Sequence, residues 1–319
     1  MTAKNMKNRT ALTLLREPVD RVPIFEAVID QRFNKYALGL DERSLSMAPA
    51  DHLRLAHFIH MDLATIPYGS RVPGTNTREK FQKIQPPAHE PVLERIDEYL
   101  KILDGTDVGL NVYIHGPFDN TYLSMGYEDF FYTVCDDPGF IEEMMDFFTE
   151  DAVRLVEKIK GRGLTTIQIV DDIAYKNGLF INPDLFRKLW FPRMQRIMDS
   201  IHSLNIPVIF HSDGDVKYFI EMLIELGIHG VNPLETQCND IRQIKKEYGG
   251  DITLMGNLDV GGVLAYGTPD DVRKEMKDLL RDMMPGGGYI AMSSSSVCEC
   301  VVPENYMAMV ETVLEHGQY

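Results

Sequence analysis

The chain has 319 residues, of which 44% are hydrophobic and 25% charged, a composition that excludes a fibrous or disordered protein. Its 48 acidic residues outnumber its 32 basic residues, and the net charge of −16 argues against binding to nucleic acid. No apolar run reaches the roughly 20 residues that span a bilayer, and MTAKNMKNRT lacks a signal-type apolar stretch. These features predict a cytoplasmic protein that does not bind membranes.

Short apolar, β-branched runs alternate with longer segments of helical spacing, the pattern of βα units around a parallel sheet. The runs that predict strands are Val22–Glu26, Leu63–Tyr68, Leu110–Gly116, Thr165–Asp172, Pro207–Asp213, Gly230–Glu235, Ile252–Asp259 and Tyr289–Ser296. The segments that predict helices include Pro138–Arg162, Pro183–Leu204, Val216–Leu226 and Thr268–Met284, the last with a Thr-Pro-Asp-Asp capping pattern. Eight strands alternating with helices predict an α/β fold, a single (β/α)8 TIM barrel over residues 1–319.

Two connections, Asp41–His60 and Gly69–Lys101, are longer than ordinary loops, and we expect them to carry helices or to cover one barrel mouth. A doubly wound open sheet is the competing fold. Such a sheet usually has a glycine-rich phosphate turn after its first strand, whereas Val22–Glu26 leads into AVIDQRF without a glycine. The glycine cluster Pro285–Gly288 precedes a predicted strand, so it predicts a flexible helix-to-strand turn.

Polar side chains collect where the predicted strands end, and in a (β/α)8 barrel these ends meet at the catalytic mouth. Glu26 ends the first run and could serve as a metal ligand, a proton donor or a salt-bridge partner. Asp171 and Asp172 follow TTIQIV, and strand alternation predicts that one carboxylate enters the barrel while the other caps the next segment. Asn257, after ITLMG, predicts a substrate-binding turn, although such residues often bond only to their own backbone. These four residues are the catalytic candidates.

The most specific local pattern is His211-Ser212-Asp213, because residues i and i+2 of a strand project to the same side and can grip one ion. A thiolate from the connection after the last strand, Cys298 or Cys300, would complete a zinc site with an open position. The alternatives are an acid/base pair without metal and ordinary polar residues at a strand end. The other two cysteines, Cys135 and Cys238, are interpreted as filler.

Several segments carry a family likeness. PVDRVP at residues 18–23 after an opening helix, LMGNLD at 254–259, and GGYI at 287–290 followed by VPEN at 302–305 resemble the uroporphyrinogen decarboxylase superfamily over nearly the whole chain. The resemblance implies a (β/α)8 barrel. It leaves two branches open, the true decarboxylases and the zinc-dependent methyltransferases that deliver or remove methyl groups on corrinoid proteins.

Two departures from the family patterns separate these branches. The decarboxylases have an arginine-rich segment after the first strand that suits a substrate with eight carboxylates, whereas residues 26–32 here hold one arginine and two acids and would repel such a polyanion. The methyltransferases typically have a His-x-Cys pair on the fifth strand and a distant Cys after the eighth. This chain has Asp213 in place of the first Cys and Ser295 where the distant one aligns, with Cys298 three residues later. The resulting harder, more Lewis-acidic site suits the oxygen of a methyl ether better than a thiol.

The resemblance therefore implies a zinc-dependent methyltransferase that cleaves a small methylated substrate, best interpreted as a phenyl methyl ether, and passes the methyl group to a reduced corrinoid. The chain has no cobalamin-binding segment of Asp-x-His-x-x-Gly type, so a separate corrinoid protein is the expected partner. One alternative is a metal-free decarboxylase of a small carboxylic acid. Another is a non-catalytic binding protein that kept the fold.

Overall fold

Residues 8–319 are described by the computed structural model, and their central feature is a parallel sheet that curls around a buried interior. Its strands follow chain order, each beside the next, in the order β1-β2-β3-β6-β7-β8-β9. These strands are β1 (Leu63–Tyr68), β2 (Gly109–His115), β3 (Thr166–Val170), β6 (Val208–His211), β7 (Gly230–Asn232), β8 (Thr253–Met255) and β9 (Tyr289–Ile290). A small antiparallel hairpin, β4 (Ala174–Tyr175) with β5 (Gly178–Leu179), follows β3.

The first predicted strand, Val22–Glu26, lies between the two edge strands of the sheet but pairs with its neighbour through an isolated bridge, not through a continuous series of paired residues. Ile24 is bridged in parallel to Ala291, just beyond β9, and its carbonyl accepts the Asp62 N–H at 3.2 Å, just before β1. Pro23 has no N–H to donate, which shortens the pairing that this segment can make. The segment therefore fills the eighth position between the two edge strands, and the expected (β/α)8 barrel fold is confirmed.

Helices surround the sheet at the positions that the apolar spacing predicts. The four long segments appear with ends shifted by a few residues, and Val216–Leu226 divides into a 3-10 turn and a short helix. The predicted cap of the Thr268 helix forms a capping box with Asp271. The helices are α1 (Arg9–Leu14), α2 (Gln31–Leu38), α3 (Pro49–Phe58), α4 (Arg78–Phe81), α5 (Glu90–Ile102), α6 (Pro117–Met125), α7 (Tyr127–Asp136), α8 (Pro138–Ile159), α9 (Pro183–His202), α10 (Ile220–Glu225), α11 (Ile241–Tyr248), α12 (Val263–Tyr266), α13 (Pro269–Met283) and α14 (Pro303–His316). The two long connections carry α3, α4 and α5, as expected.

The strand register decides which side chains meet at the mouth. Val170 pairs with His211, and His211 with Asn232, so the last residues of β3, β6 and β7 lie side by side. Several strands end earlier than predicted, so the acidic residues that follow them lie in loops rather than on the ladder. The mouth is therefore built from strand ends and the first turns beyond them.

The opposite, amino-terminal face of the barrel is closed by α1. Leu14 packs with Leu63, Ile209, Met255 and Ile290 in a small cluster inside the sheet. The Thr253 hydroxyl donates to the carbonyl of Thr13 at 3.2 Å, which fixes the helix against β8. Among residues 8–319, no helix combines the length and apolarity needed to cross a bilayer.

Candidate functional site

Three side chains converge at the mouth, where β3 and β6 end. Nε2 of His211 lies 3.8 Å from Oδ1 of Asp172 and 3.9 Å from Oδ1 of Asp213. The backbone N–H of Asp213 donates to Asp172 Oδ1 at 3.0 Å, which ties the two loops together. One ligand atom from each residue lies within 4.8 Å of the others, the spacing of a group that can hold a metal ion.

The orientation of the His211 ring is set by its neighbour on β7. Nδ1 lies 2.7 Å from Oδ1 of Asn232. Because an amide oxygen can only accept, Nδ1 carries the proton and Nε2 of the neutral ring keeps its lone pair. Nε2 faces the two carboxylates, which is the orientation in which the imidazole can share a cation with them.

The three side chains fit a divalent cation. Oδ1 of Asp213 is buried and has no hydrogen-bond partner among the described residues. Burial raises the pKa of Asp213 to about 6, and the nearby carboxylates of Asp172 and Glu235 add to this effect while His211 opposes it. One imidazole nitrogen and two carboxylate oxygens are donors that Zn²⁺ accepts. A cation would supply the partner that the buried oxygen lacks and offset the repulsion between acids.

A small cavity of about 60 Å³ adjoins His211 on the barrel axis side of the mouth. It is lined by Ala27, Val28, Tyr113, Gln168, Val170, His211, Met292, Ser295 and Ser296. Burial raises the pKa of Tyr113 far above its usual value, so its phenol remains a hydrogen-bond donor at neutral pH. The cavity thus combines apolar walls with the hydroxyl groups of one tyrosine and two serines beside the candidate metal ligands.

The two adjacent acids after β3 have different partners. Asp172 belongs to the group at the mouth, whereas Asp171 caps an earlier helix, α6, and not the next segment that the sequence predicted. Asp171 is buried and accepts the backbone N–H of Asp119 at 2.6 Å, that of Phe118 at 3.4 Å and the indole N–H of Trp190 at 2.8 Å. It therefore caps the start of α6, and a Cβ on Gly116 would lie 2.2 Å from its Cγ, so only glycine allows this approach. Burial, with the nearby Asp119 charge, raises the pKa of Asp171 well above its usual value.

Glu26 is buried on the β9 side of the barrel. Its carboxylate accepts the Ser293 backbone N–H at 2.7 Å, the Ser293 hydroxyl at 2.8 Å and the Tyr306 hydroxyl at 3.3 Å. Burial raises the pKa of Glu26 to about 8, although all three hydrogen bonds favour the ionised form. Glu26 is therefore a protonatable group next to the segment that carries Ser295. It does not belong to the group of candidate metal ligands, Asp172, His211 and Asp213.

Asn257 lies apart from these residues. Its amide donates to the carbonyl of Leu234 at 2.8 Å, and the residue is buried. It borders a separate open cavity of about 500 Å³, which Asp240, Arg242 and Glu275 also line. In this position it fixes one loop to another, and its proposed catalytic role stays a prediction.

The structure does not bring the two candidate cysteines together with His211. Among the described residues, the group that could hold a metal contains Asp172 in addition to His211 and Asp213, and no thiol. A hydrogen bond with the Cys298 thiol raises the pKa of Cys300 to about 11, and the Cys300 thiol donates to the carbonyl of Val260 at 3.5 Å. The two thiols therefore contact each other, while Ser295 and Ser296 are the residues of this connection that line the cavity.

Sequence reasoning did not single out Tyr113 or Asn232. Tyr113 lies two residues before His115 on β2 and so faces the same side of the strand. Counting back by two from His115, at the end of the strand, could have identified Tyr113 from the sequence. Asn232 becomes recognisable only through the register, which places it beside His211. Sequence alone gives no such register between β6 and β7.

Fold and site together define a (β/α)8 barrel with a polar mouth that can hold a cation. The chain belongs to the uroporphyrinogen decarboxylase family, because the family model for uroporphyrinogen decarboxylase (URO-D) matches residues 55–316. This confirms the family that the sequence segments indicated.

Similar proteins come from both branches of the family. The methylcobamide:CoM methyltransferase MtbA of Methanosarcina acetivorans is 22% identical, over 93% of this chain and 96% of that protein. The uroporphyrinogen decarboxylase of Alkalilimnicola ehrlichii is 23% identical, over 60% of this chain and 53% of that protein. A solved structure of a methyltransferase from Methanosarcina mazei aligns with a TM-score of 0.75 at 20% identity, covering 97% of this chain and 98% of the other. The structural match supports the shared fold.

Proposed function

We propose that this chain is a metal-dependent methyltransferase that moves a methyl group from a small methylated substrate to a corrinoid carried by another protein. The observation that carries the proposal is the convergence of Asp172, His211 and Asp213 at the mouth of the barrel. The similarity to a methylcobamide:CoM methyltransferase over almost the full length of both chains supports a corrinoid as one partner in the transfer.

In such a transfer the bond between the methyl carbon and its heteroatom breaks, and the electron pair stays on the heteroatom. Cobalt(I) of the corrinoid supplies the electron pair of the new carbon–cobalt bond, and a proton neutralises the leaving group. Asp172, His211 and Asp213 would hold Zn²⁺, which acts as a Lewis acid on a departing oxygen. Asn232 keeps the His211 ring in the ligating orientation, and Tyr113, which lines the cavity, would donate a hydrogen bond from its hydroxyl to the leaving group.

The donor set favours an oxygen-bound methyl group over a methyl thioether. Two carboxylates and an imidazole leave more positive charge on the cation than thiolates would, and a harder cation prefers an oxygen leaving group. The cavity also limits the size of what enters it. At about 60 Å³ it is smaller than the roughly 150 Å³ cavity that holds benzene, so the methoxy group of a phenyl methyl ether would enter while its ring stays outside.

The open side of the mouth offers a place for that ring. The N–H of Asp215 donates to the carbonyl of Tyr175 at 3.2 Å, which holds the β4–β5 hairpin beside the loop that carries Asp213. The half-exposed Tyr175 ring stacks on Phe180 with an interplanar angle of 2°. In its more specific form, the proposal is that the substrate is a phenyl methyl ether whose flat ring lies between the hairpin and the mouth. A methyl donor of the size of methanol would fit the cavity equally well.

Metal analysis of the purified protein tests the site. We expect close to one zinc per chain in the wild type, and loss of zinc in His211→Ala and Asp213→Ala. Cys298→Ser and Cys300→Ser are the matched controls and should retain zinc. Zinc retained by His211→Ala, or lost only with the cysteines, would contradict the site.

A spectroscopic assay then tests the reaction. Reduced corrinoid protein is mixed with the enzyme and a panel of methoxyaromatics, methanol and methylamines, and methylation is followed by the loss of cobalt(I) absorbance. Zinc-dependent methylation by one class supports the proposal and identifies the donor. If the metal-free protein instead releases carbon dioxide from a small carboxylic acid, the alternative decarboxylase function is correct.

A further inference from the structure

A third cavity lies on the amino-terminal face of the barrel, away from the mouth. Its volume is about 280 Å³, and its walls include Arg16, Pro18, the glycine loop 286–288 and Tyr319. The glycine loop immediately precedes β9, and Arg16 follows α1, the helix that closes this face. We propose that this cavity binds a small organic anion, a phosphate or carboxylate with an apolar body.

Two cationic side chains lie near this cavity, Arg16 in its wall and Lys245 bonded to its glycine loop. The Arg16 guanidinium donates to the carbonyl of Gly249 at 2.8 Å, and the Lys245 ammonium donates to the carbonyl of Gly287. Neither side chain is ion-paired with an acid in the described part of the chain. Burial lowers the pKa of both groups; the charge of the nearby Asp251 opposes this shift at Arg16, and the positive charge of Arg16 further lowers the pKa of Lys245.

Two like charges held close together and bonded only to carbonyl groups favour an anion, which would relieve both the repulsion and the desolvation. Glu17 also lines the cavity, and like Arg16 it is exposed to solvent, which screens its charge.

The glycine loop allows the guanidinium to approach closely. Gly288 has φ +66, and a Cβ at this position would lie 1.8 Å from Nη1 of Arg16. No other residue type therefore permits the plane of the guanidinium to lie against the loop. The arginine is held in a fixed place at the wall of the cavity with N–H groups free for a planar or tetrahedral anion.

Size and lining indicate an organic ligand rather than a bare inorganic ion. The volume of about 280 Å³ exceeds the roughly 150 Å³ that holds benzene. The pyrrolidine ring of Pro18, the side chain of Val19 and the ring of Tyr319 supply apolar walls opposite the cations. A ligand that places its charge on Arg16 and an apolar group against these walls satisfies both parts of the cavity.

Isothermal titration calorimetry of the full chain with phenyl phosphate and with benzoate tests this site. We expect saturable binding of at least one of them at one site per chain, tighter than that of inorganic phosphate, and no binding of benzylamine. Arg16→Gln should weaken binding about tenfold, the effect of losing one charge-assisted hydrogen bond. Lys245→Gln should weaken binding less, because the Lys245 ammonium donates to the carbonyl of Gly287 in the glycine loop.

Two further variants separate this site from the mouth and from a folding defect. Arg16→Lys keeps the charge but not the planar guanidinium, so it should bind more weakly than the wild type and more tightly than Arg16→Gln, and thermal melting verifies that each variant is folded. His211→Ala alters the mouth and should bind the probes as the wild type does. Absence of saturable binding up to about 10 mM, equal affinity in folded Arg16→Gln, or loss of binding in His211→Ala would overturn the proposal.

Discussion

His211 and Asn232 form a hydrogen bond of 2.7 Å between Nδ1 and Oδ1, across two strands that pair in register. The bond leaves Nε2 facing Asp172 and Asp213 at 3.8 and 3.9 Å. The amide of Asn232 is itself oriented, since its nitrogen lies 3.8 Å from the sulfur of Met255 on β8. Three neighbouring strands therefore cooperate to present one imidazole nitrogen at the mouth.

Replacing Asn232 by Ala should weaken zinc binding about 10-fold to 100-fold, because His211 loses the acceptor that fixes its tautomer and ring orientation. The measurement is a competition titration against a zinc-chelating dye. Asn305→Ala is the matched control, since Asn305 is a buried asparagine that bonds only to backbone carbonyls on the α12 side of the barrel. Unchanged zinc affinity in Asn232→Ala would show that the ring is oriented by other contacts.

Glu26 should make the stability of the fold depend on pH. Its pKa is about 8 in the folded protein and near 4.5 when unfolded, so the folded state binds the proton more tightly. Its contribution is fully present below pH 4.5 and is lost as the pH rises toward 8, by about 1.4 kcal/mol per pH unit. Glu26→Gln cannot titrate and should remove this dependence.

The measurement for Glu26 is the free energy of urea unfolding at a series of pH values. The difference between wild type and Glu26→Gln isolates this carboxyl group from the other titrating acids. A difference that stays constant from pH 4.5 to 8 would contradict the raised pKa.

Asp171→Asn should destabilise the fold by about 2 kcal/mol, because an amide nitrogen would face N–H donors that now bond to a carboxylate. The three donors come from the start of α6 and from Trp190, so the loss is buried and involves two helices. Chemical unfolding gives the magnitude. Asp137→Asn is the matched control, since Asp137 caps α8 through the Phe140 N–H but is exposed, and it should cost less than 1 kcal/mol.

Much of the fold follows from local patterns in the sequence. The β-branched runs from Leu63 onward all become strands, because a strand buried on both faces needs a continuous apolar run that periodicity reveals. Val22–Glu26 was expected as an ordinary strand, yet Pro23 removes a donor and limits the segment to isolated bridges. Alternation also predicts that Asp171 and Asp172 differ in orientation, but not that Asp171 caps the earlier helix α6.

The remaining features of the site depend on geometry between distant segments. His211 and Asp213 were identified by their i, i+2 spacing, but the third member of the group, Asp172, was expected among the catalytic acids. Cys298 and Cys300 are close to Ser295 and Ser296 in sequence, yet the serines line the cavity whereas the thiols contact each other. No local pattern predicts which residue of a loop points into a barrel.

Tyr113→Phe should lower kcat/KM for methyl transfer about 10-fold to 100-fold, because the variant loses the phenol that lines the cavity beside His211 and can donate to the leaving heteroatom. Its zinc content should equal that of the wild type, since Tyr113 is outside the group of candidate ligands. Tyr175→Phe is the control, because it removes a phenol hydroxyl from the half-exposed hairpin and leaves the cavity intact. The opposite result, full activity in Tyr113→Phe and reduced activity in Tyr175→Phe, would contradict this prediction. It would mean that the leaving group lies against the hairpin and that the small cavity has another role.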